Sequence, residues 1–310
     1  MSNSRYIVRN YQPTDFNNYV LLNMDAEKLE PTGRRVSPQV IAEHLGQPDY
    51  SPEQDLFVVE IAGNIVGYMD VVPELTIGRV VLNCWVHPEH RRMGLATKLL
   101  SYAIRHAKEL AARVAHVNIM ENNVAAKSML SKLGFTYVRR FLELRLDILK
   151  VSWQDVCQAA LECCHLQCGD EDKLTQIQNR SFAGTWGYNL STVEAIAYRI
   201  NLSDCSPEDI VLACQGDKII GYCWTETDYE REAASGERTG RIFMLGTDSD
   251  LRGRGVGKRV LLAGLAHLKS RGVLVVELTV DSQNKAACTL YRSVGFEVVT
   301  SSLWYEKMIN

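Results

Sequence analysis

The sequence predicts a mixed α/β fold built twice in one chain, and three observations carry that prediction. Landmarks recur at a fixed interval. Arg91, Gly94 and Ala96 precede Arg252, Gly255 and Gly257 by 161 residues, and Asn123, Ala126 and Gly134-Phe135 precede Asn284, Ala287 and Gly295-Phe296 by the same 161. Strand-like and helix-like patterns alternate in the same order in both halves. A chain of 310 residues with 46% hydrophobic and 23% charged content suits about two ordinary folded domains.

Each copy is expected to open with a strand, at residues 6–9 and 161–166, leading through Asp15 or Asp172 as N-cap into helical segments. A hairpin follows in each, LFVVEIAGNIVGYMDVV and DIVLACQGDKIIGYCWT, with Gly63-Asn64 and Gly216-Asp217 as turn residues at the tips. Gly67-Tyr68 and Gly221-Tyr222 are only 154 apart, so the second copy carries about seven extra residues, which fall in the polar stretch TETDYEREAASGERTG. Next come a strand (80–86; 241–247), a glycine loop and a helix with apolar residues at Leu95, Leu99, Leu100 and Ala103 or at Val256, Val260, Leu261 and Leu265. An apolar strand, a short helix ending at Gly-Phe, and a last strand (FLELRLD; SLWYEKMI) close each copy. The boundary is expected between 148 and 158, giving copies 1–150 and 151–310.

Composition narrows the function classes. With 34 basic and 37 acidic residues the net charge is −3, which argues against a general nucleic-acid binder. No apolar run approaches the ~20 residues that span a bilayer, and the first residues lack the apolar core of a signal peptide, so a cytoplasmic chain is expected. The nine cysteines form no CxxC pair and are expected as free, buried thiols. The group Cys157, Cys163, Cys164, His165 and Cys168 does not read as a zinc site, because a strand at 161–166 turns Cys163 and Cys164 to opposite faces. His87 and His90 read as surface residues without an obvious partner, and no metal is expected.

The stretch LRGRGVGKRVLLAGL runs from a strand into a helix. Glycines at 253, 255 and 257 permit tight turns and leave amide N–H groups open, and such amides at a helix N-terminus bind anionic oxygen. The spacing matches neither the dinucleotide fingerprint nor the phosphate loop of nucleotide hydrolases.

The pattern [QR]xxGx[GA] after a strand, followed by Asn-xx-Ala-xxx-Tyr-xxx-Gly-Phe, resembles the GNAT superfamily of acyl-CoA-dependent N-acyltransferases. It reads Arg252, Gly253, Arg254, Gly255, Val256, Gly257, then Asn284, Ala287, Tyr291 and Gly295-Phe296; the first copy has Arg91, Arg92, Met93, Gly94, Leu95, Ala96, then Asn123, Ala126 and Gly134-Phe135. The two copies together are similar to the mycothiol synthase-like two-domain group, in which the chemistry is attributed to the carboxy-terminal domain. The resemblance implies two GNAT-like domains, each a central twisted mixed sheet flanked by helices, and acetyl-CoA as cofactor with coenzyme A as product. It implies pyrophosphate on the amides of residues 253–258, with Lys258 closing that stretch. It implies pantetheine between the strand ending at Leu245, Gly246 and Thr247 and the strand at 273–280, and near Asn284. The corresponding residues of the first copy are Trp85, Val86, Arg91 to Ala96, and Asn123.

The same resemblance makes a tyrosine seven residues after the asparagine the proton donor to the departing thiolate, which is Tyr291 here. A phenol with an ordinary pKa near ~10 is protonated at neutral pH and suits that task. The first copy has Leu130 at the matching position and no proton to give, so chemistry is expected in the second copy, while the first is expected to retain the fold and cofactor binding. The carboxylate that several relatives carry early on the strand before the glycine loop is Arg241 here, so that role does not transfer. Glu226 and Asp228 lie near where an amine should enter, with Glu226 as candidate base, though each also reads as a solvated hairpin residue, and a water chain is an equal candidate. Trp186 and Tyr188 in SFAGTWGYN read either as a wall of the acceptor groove or as local packing. The expected activity is acetyl transfer to the primary amine of a small molecule, with a non-catalytic acyl-CoA-sensing module and a protein N-terminal or lysine acetyltransferase as alternatives. No nucleic-acid or membrane partner is expected, and the oligomeric state is left open.

Overall fold

The computed structural model of the chain describes residues 6–32, 36–228 and 238–309. In chain order the strands and helices are β1 (Ile7–Asn10), α1 (Phe16–Leu29), α2 (Pro38–Leu45), α3 (Pro52–Asp55), β2 (Leu56–Ile61), β3 (Asn64–Glu74), β4 (Arg79–Val86), α4 (Leu95–Glu109), β5 (Val114–Met120), α5 (Val124–Lys132) and β6 (Thr136–Asp147). The second half repeats the series as α6 (Trp153–Leu161), β7 (Cys164–His165), α7 (Glu171–Phe182), α8 (Val193–Ile200), β8 (Ile210–Gln215), β9 (Lys218–Asp228), β10 (Thr239–Thr247), α9 (Val256–Ser270), β11 (Val275–Asp281), α10 (Lys285–Val294) and β12 (Glu297–Met308). The mixed α/β class and the repeated order of elements are as the sequence predicts.

Two compact units make up the chain. One runs through Val138 and takes up the chain again at Leu303; the other is Arg139–Ser302. These units do not follow the division at residue 150. The last strand of each sequence copy does not close its own copy. Residues 141–147 of β6 pair antiparallel with β11 in the second unit, and the end of β12 lies beside β5 in the first, where the Glu306 carboxylate meets His116 Nε2 at 2.8 Å. The physical reason is that β6 and β12 carry equivalent strand patterns. Which sheet each completes is set by pairing across long sequence distances, and local periodicity is blind to that.

In the second unit the antiparallel strands β8, β9 and β10 are followed by β11, which runs parallel to β10. One face packs on α9 and α6 through Val256, Val260, Leu261, Leu265 and Leu268 together with Val156 and Ala159. The other packs on α7 and α8 through Leu174, Ile177, Ile196 and Ile200 against Tyr222 and Trp224. Each fully buried aliphatic side chain contributes about 1.5–3 kcal/mol, so these two apolar faces fix where the loop ahead of α9 stands. The first unit repeats the plan, with α4 on one face (Leu95, Leu99, Leu100, Ala103) and α1 and α2 on the other (Tyr19, Val20, Leu22, Ile41).

Several local expectations need correction. The strand expected at 161–166 shrinks to Cys164–His165, because helix α6, burying Val156 and Ala159, runs on to Leu161. Asp172 lies inside α7, whose cap position is Asp170; Asp15 precedes α1, but its carboxylate turns back to Arg9 and the Gln12 N–H. The first hairpin turns at Ala62-Gly63, both with positive φ (50° and 82°), one residue ahead of the expected tip. The nine cysteines are free, but only Cys223 and Cys288 are buried, while Cys84, Cys157, Cys164, Cys168 and Cys214 are exposed. Most of the polar stretch between β9 and β10 lies outside the described residues.

Candidate functional site

Strand β10 pairs with β11 only over Thr239–Arg241, opposite Val275, Val276 and Glu277. Beyond Arg241 the two strands part, and β10 continues to Thr247 with one edge unpaired by β11. Just past the divergence the register between β10 and β9 shifts between Ile242 and Met244, so Phe243 has no counterpart on β9. Such a bulge bends a strand and re-aims the groups beside it.

At the end of β10, Asp248 is buried and anchors the turn. Its carboxylate accepts from the Asp250 N–H at 3.2 Å and pairs with Lys218 at 2.9 Å and Arg180 at 3.1 Å. The hydrogen bond from Lys218 leads in holding that carboxyl below the usual range. The glycine loop then follows. Gly253 and Gly255 take φ of 76° and 84°, and a Cβ on either would meet nothing within 4 Å, so the demand for glycine there is conformational rather than steric. Gly255 caps α9, and the amides of Val256, Gly257 and Lys258 belong to the helical turn that has no internal acceptors. The Arg252 guanidinium donates to the Ser181 carbonyl at 2.6 Å, so this arginine ties the loop to the end of α7. Arg254 lies exposed between the two positive-φ glycines.

Tyr291 lies on α10, buried, its ring edge-on to Phe296 at 5.7 Å. Burial pushes its phenol well above the usual tyrosine range, with Cys223 and Cys288 adding to the shift, so it stays protonated. Asn284 caps α10, its carbonyl oxygen accepting from the Ala287 N–H at 3.1 Å, and Asn123 does the same for α5 at 3.0 Å. In both copies the asparagine therefore has a structural task of its own.

Glu226 is not a solvated hairpin residue. It is buried on β9, and its carboxylate accepts from the Arg199 guanidinium at 2.5 Å. Arg199 comes from α8 and lies 3.8 Å over the ring of Phe243, the bulge residue. Sequence reasoning missed Arg199 because nothing in its own segment marks it; its partner is 27 residues away on another element. Asp228 ends β9 opposite Thr239. Trp186 packs by Phe141 and Arg139, and Tyr188 stacks on Phe182 while its hydroxyl donates to Asn179 at 2.8 Å, which is the local packing alternative.

The first copy has the same frame with different contents. Strands β4 and β5 pair only over Arg79–Val81, and β3 and β4 stay in register throughout, so no bulge forms. Arg92 and Gly94 repeat the positive φ values, at 65° and 73°. Trp85 stands where the second copy has Gly246, whose missing Cβ would fall 2.4 Å from the Tyr222 ring. The Trp85 indole donates to Glu30 at 2.8 Å, and Arg91 grips the same carboxylate with both terminal nitrogens, at 2.8 and 2.5 Å. Arg91 Nε donates to the Val86 carbonyl at 2.8 Å, so the end of β4 is already occupied. Leu130, the counterpart of Tyr291, is buried. His87 and His90 do have neighbours: Tyr6, Trp85 and each other.

Comparison with known proteins agrees with this frame. The profile of the Acetyltransferase (GNAT) family matches residues 23–135 and again residues 172–296. The mycothiol acetyltransferase of Amycolatopsis mediterranei is 28% identical over 287 residues, covering 88% of this chain and 93% of that protein. That of Thermobispora bispora is 29% identical over 228 residues, covering 72% and 74%. Among solved structures, a GCN5-related N-acetyltransferase from Sphaerobacter thermophilus superposes with a TM-score of 0.71 at 21% identity, covering 98% of this chain and 96% of that one. A tandem GNAT protein from the clavulanic acid biosynthesis pathway does so at 0.69 and 14%, covering 99% of both. Among the described residues no helix is long and apolar enough to cross a membrane. With the family pattern present twice, on two glycine loops that share their backbone turns, the chain belongs to the Acetyltransferase (GNAT) family as a tandem N-acetyltransferase, similar to the mycothiol acetyltransferases.

Proposed function

We propose that the second copy transfers an acetyl group from acetyl-CoA to a primary amine of a small molecule, and that the first copy does no chemistry. The family uses acyl-CoA donors; the choice of acetyl, and of a small-molecule acceptor, rests on the similarity to acetyltransferases named for a small thiol-bearing molecule. The observation that carries the reading is the placement of three features on one unit: a bulged β10 parting from β11, an open glycine loop, and a buried protonated tyrosine on α10.

These features suit an acyl-CoA. The unpaired edge of Leu245 to Thr247 can hydrogen-bond the amides of pantetheine as an added strand. The amides of residues 253–258 suit pyrophosphate, with Arg254 as the accessible cation and Arg252 fixing the loop. The bound donor supplies an activated thioester carbonyl. The bulge at Phe243 offers backbone outside the β9 ladder, where an oxygen gaining charge needs donors. Tyr291 holds the proton that a departing thiolate needs. Glu226 is committed to Arg199, which favours a water chain over Glu226 as the direct base, with the carboxylate and guanidinium together shaping the acceptor side of Phe243. The first copy keeps the loop, and we assign it weaker cofactor binding, because its arginine is neutralised by Glu30 and the Val86 carbonyl is taken.

A panel of small amines with acetyl-CoA, read by free thiol release, tests the reading. Turnover on at least one amine supports it. Tight acetyl-CoA binding without turnover on any acceptor would favour the sensing alternative.

A further inference from the structure

We propose that His87, Glu89 and His90 of the first copy form a binding site for a divalent transition-metal cation of the zinc type. All three sit on or beside a single 3-10 turn (Pro88–His90) between β4 and the first glycine loop. One ligand atom from each falls within 4.8 Å of the other two. Ligands around a tetrahedral zinc ion at about 2.0–2.1 Å stand roughly 3.4 Å apart, so small side-chain rotations close the cluster. Glu89 is exposed, so its carboxylate has room to turn toward the two imidazoles. Two imidazoles and one carboxylate favour zinc, nickel, cobalt or copper over calcium or magnesium, which prefer all-oxygen shells.

A second observation separates this cluster from chance surface crowding. His90 Nδ1 lies 3.0 Å from the Tyr6 hydroxyl, whose oxygen can accept from Nδ1–H and leave Nε2 to ligate. The second copy shows what the turn needs for folding alone. There Asp248 caps the turn by accepting from the Asp250 N–H at 3.2 Å, and Leu251 packs against the core. In the first copy His87 takes the capping position, with a long 3.4 Å contact from the Glu89 N–H, and His90 replaces the leucine. The carboxylate cap and the apolar anchor have both become imidazoles, side by side with ring centroids 5.8 Å apart. A bound ion would brace the turn that leads into Arg91–Gly94.

The test titrates Co²⁺ into the full-length protein and follows its visible spectrum, with Zn²⁺ competition and thermal melting alongside. We expect one equivalent to bind with nitrogen and oxygen ligation and to raise the melting temperature. Glu89→Gln should weaken binding about tenfold, and the double change His87→Ala/His90→Ala should abolish it. An unchanged affinity in the double variant, or a sulfur-to-cobalt charge-transfer band in the parent protein, overturns the proposal, the latter by assigning the ion to cysteines. Should the double variant melt early without metal, His90→Asn alone must still lose at least tenfold in affinity for the site to stand.

Discussion

The two copies of the fold differ most where they should matter most. Both part their parallel strands after three paired residues and then turn through a loop with two positive φ values. Only the second adds a bulge in the strand beside that opening and a tyrosine on the helix behind it. The first has an unbroken register, a leucine, and a tryptophan and glutamate drawn in beside its arginine. The scaffold survives duplication because its core contacts are spread over many side chains. The site depends on a few groups, and any one of them can change without unfolding the sheet.

The largest expected effect breaks this comparison at Tyr291, the proposed proton donor. Tyr291→Phe should lower turnover by about 10²–10⁴-fold while leaving acetyl-CoA affinity nearly unchanged, since the ring still packs on Phe296. The reciprocal change, Leu130→Tyr, should bring no activity to the first copy, because β4 lacks the bulge. Steady-state thiol release on both variants checks this, and full activity in Tyr291→Phe would mean that solvent protonates the thiolate.

Next is the loop. Acetyl-CoA should raise the melting temperature by mass action, the stabilisation reaching about 2.7 kcal/mol at a hundred times Kd. Gly255→Val should remove most of that shift, because a β-branched residue resists φ of 84°. Gly94→Val should change it little if the second copy holds most of the bound cofactor. The reverse ranking would make the first copy the principal site.

Much of this was legible in the sequence, and the limits have physical causes. The glycine loops, the helix spacing of Leu95 to Ala103 and the Tyr291/Leu130 contrast are local patterns, and local patterns survive translation into structure. The destination of β6 and β12 was not legible, because two equivalent strands compete for two equivalent sheet edges. The burial of Glu226 was hidden for a similar reason, since its partner Arg199 approaches from another element. The bulge at Phe243 leaves no mark in composition. The aligned copies did hold one usable signal: a tryptophan at 85 in the position that a glycine holds at 246 announces that one of the two surfaces has been refilled.

A third comparison concerns a buried pair present in both copies. His106 meets Asp55 at 2.7 Å, and His267 meets Asp209 at 3.0 Å. The Asp55 hydrogen bond raises the His106 pKa despite burial. That stability is fully present below the unfolded value near ~6.5 and is lost as pH rises through the folded value. Burial pushes the Asp209 carboxyl up, but hydrogen bonds from His267 and Ser206 outweigh it and hold it low. Its contribution is therefore present above ~3.9 and lost as pH falls through the folded value. Asp55→Asn should cost about 2 kcal/mol at pH 6 and less at pH 8, read by denaturant melts at each pH. An equal cost at both would show that the His106 charge contributes nothing.

The smallest effect sharpens the difference between the loops themselves. Arg92 holds φ of 65° where the second copy places Gly253 at 76°. A non-glycine residue pays roughly 1–2 kcal/mol for that region, while glycine loses about 0.5–1 kcal/mol through the greater freedom of its unfolded chain. The balance predicts that Arg92→Gly stabilises the protein by a few tenths to about 1 kcal/mol, measured by denaturant melts without ligand. Arg92 has no hydrogen bond or ion pair among the described residues to set against this gain. The converse change, Gly253→Arg, should destabilise by a similar amount, since a Cβ there meets open space and only the backbone resists. If Arg92→Gly instead destabilises, the arginine earns its place through a contact made only when an anion is bound, and adding acetyl-CoA to the melt would then widen the gap between parent and variant.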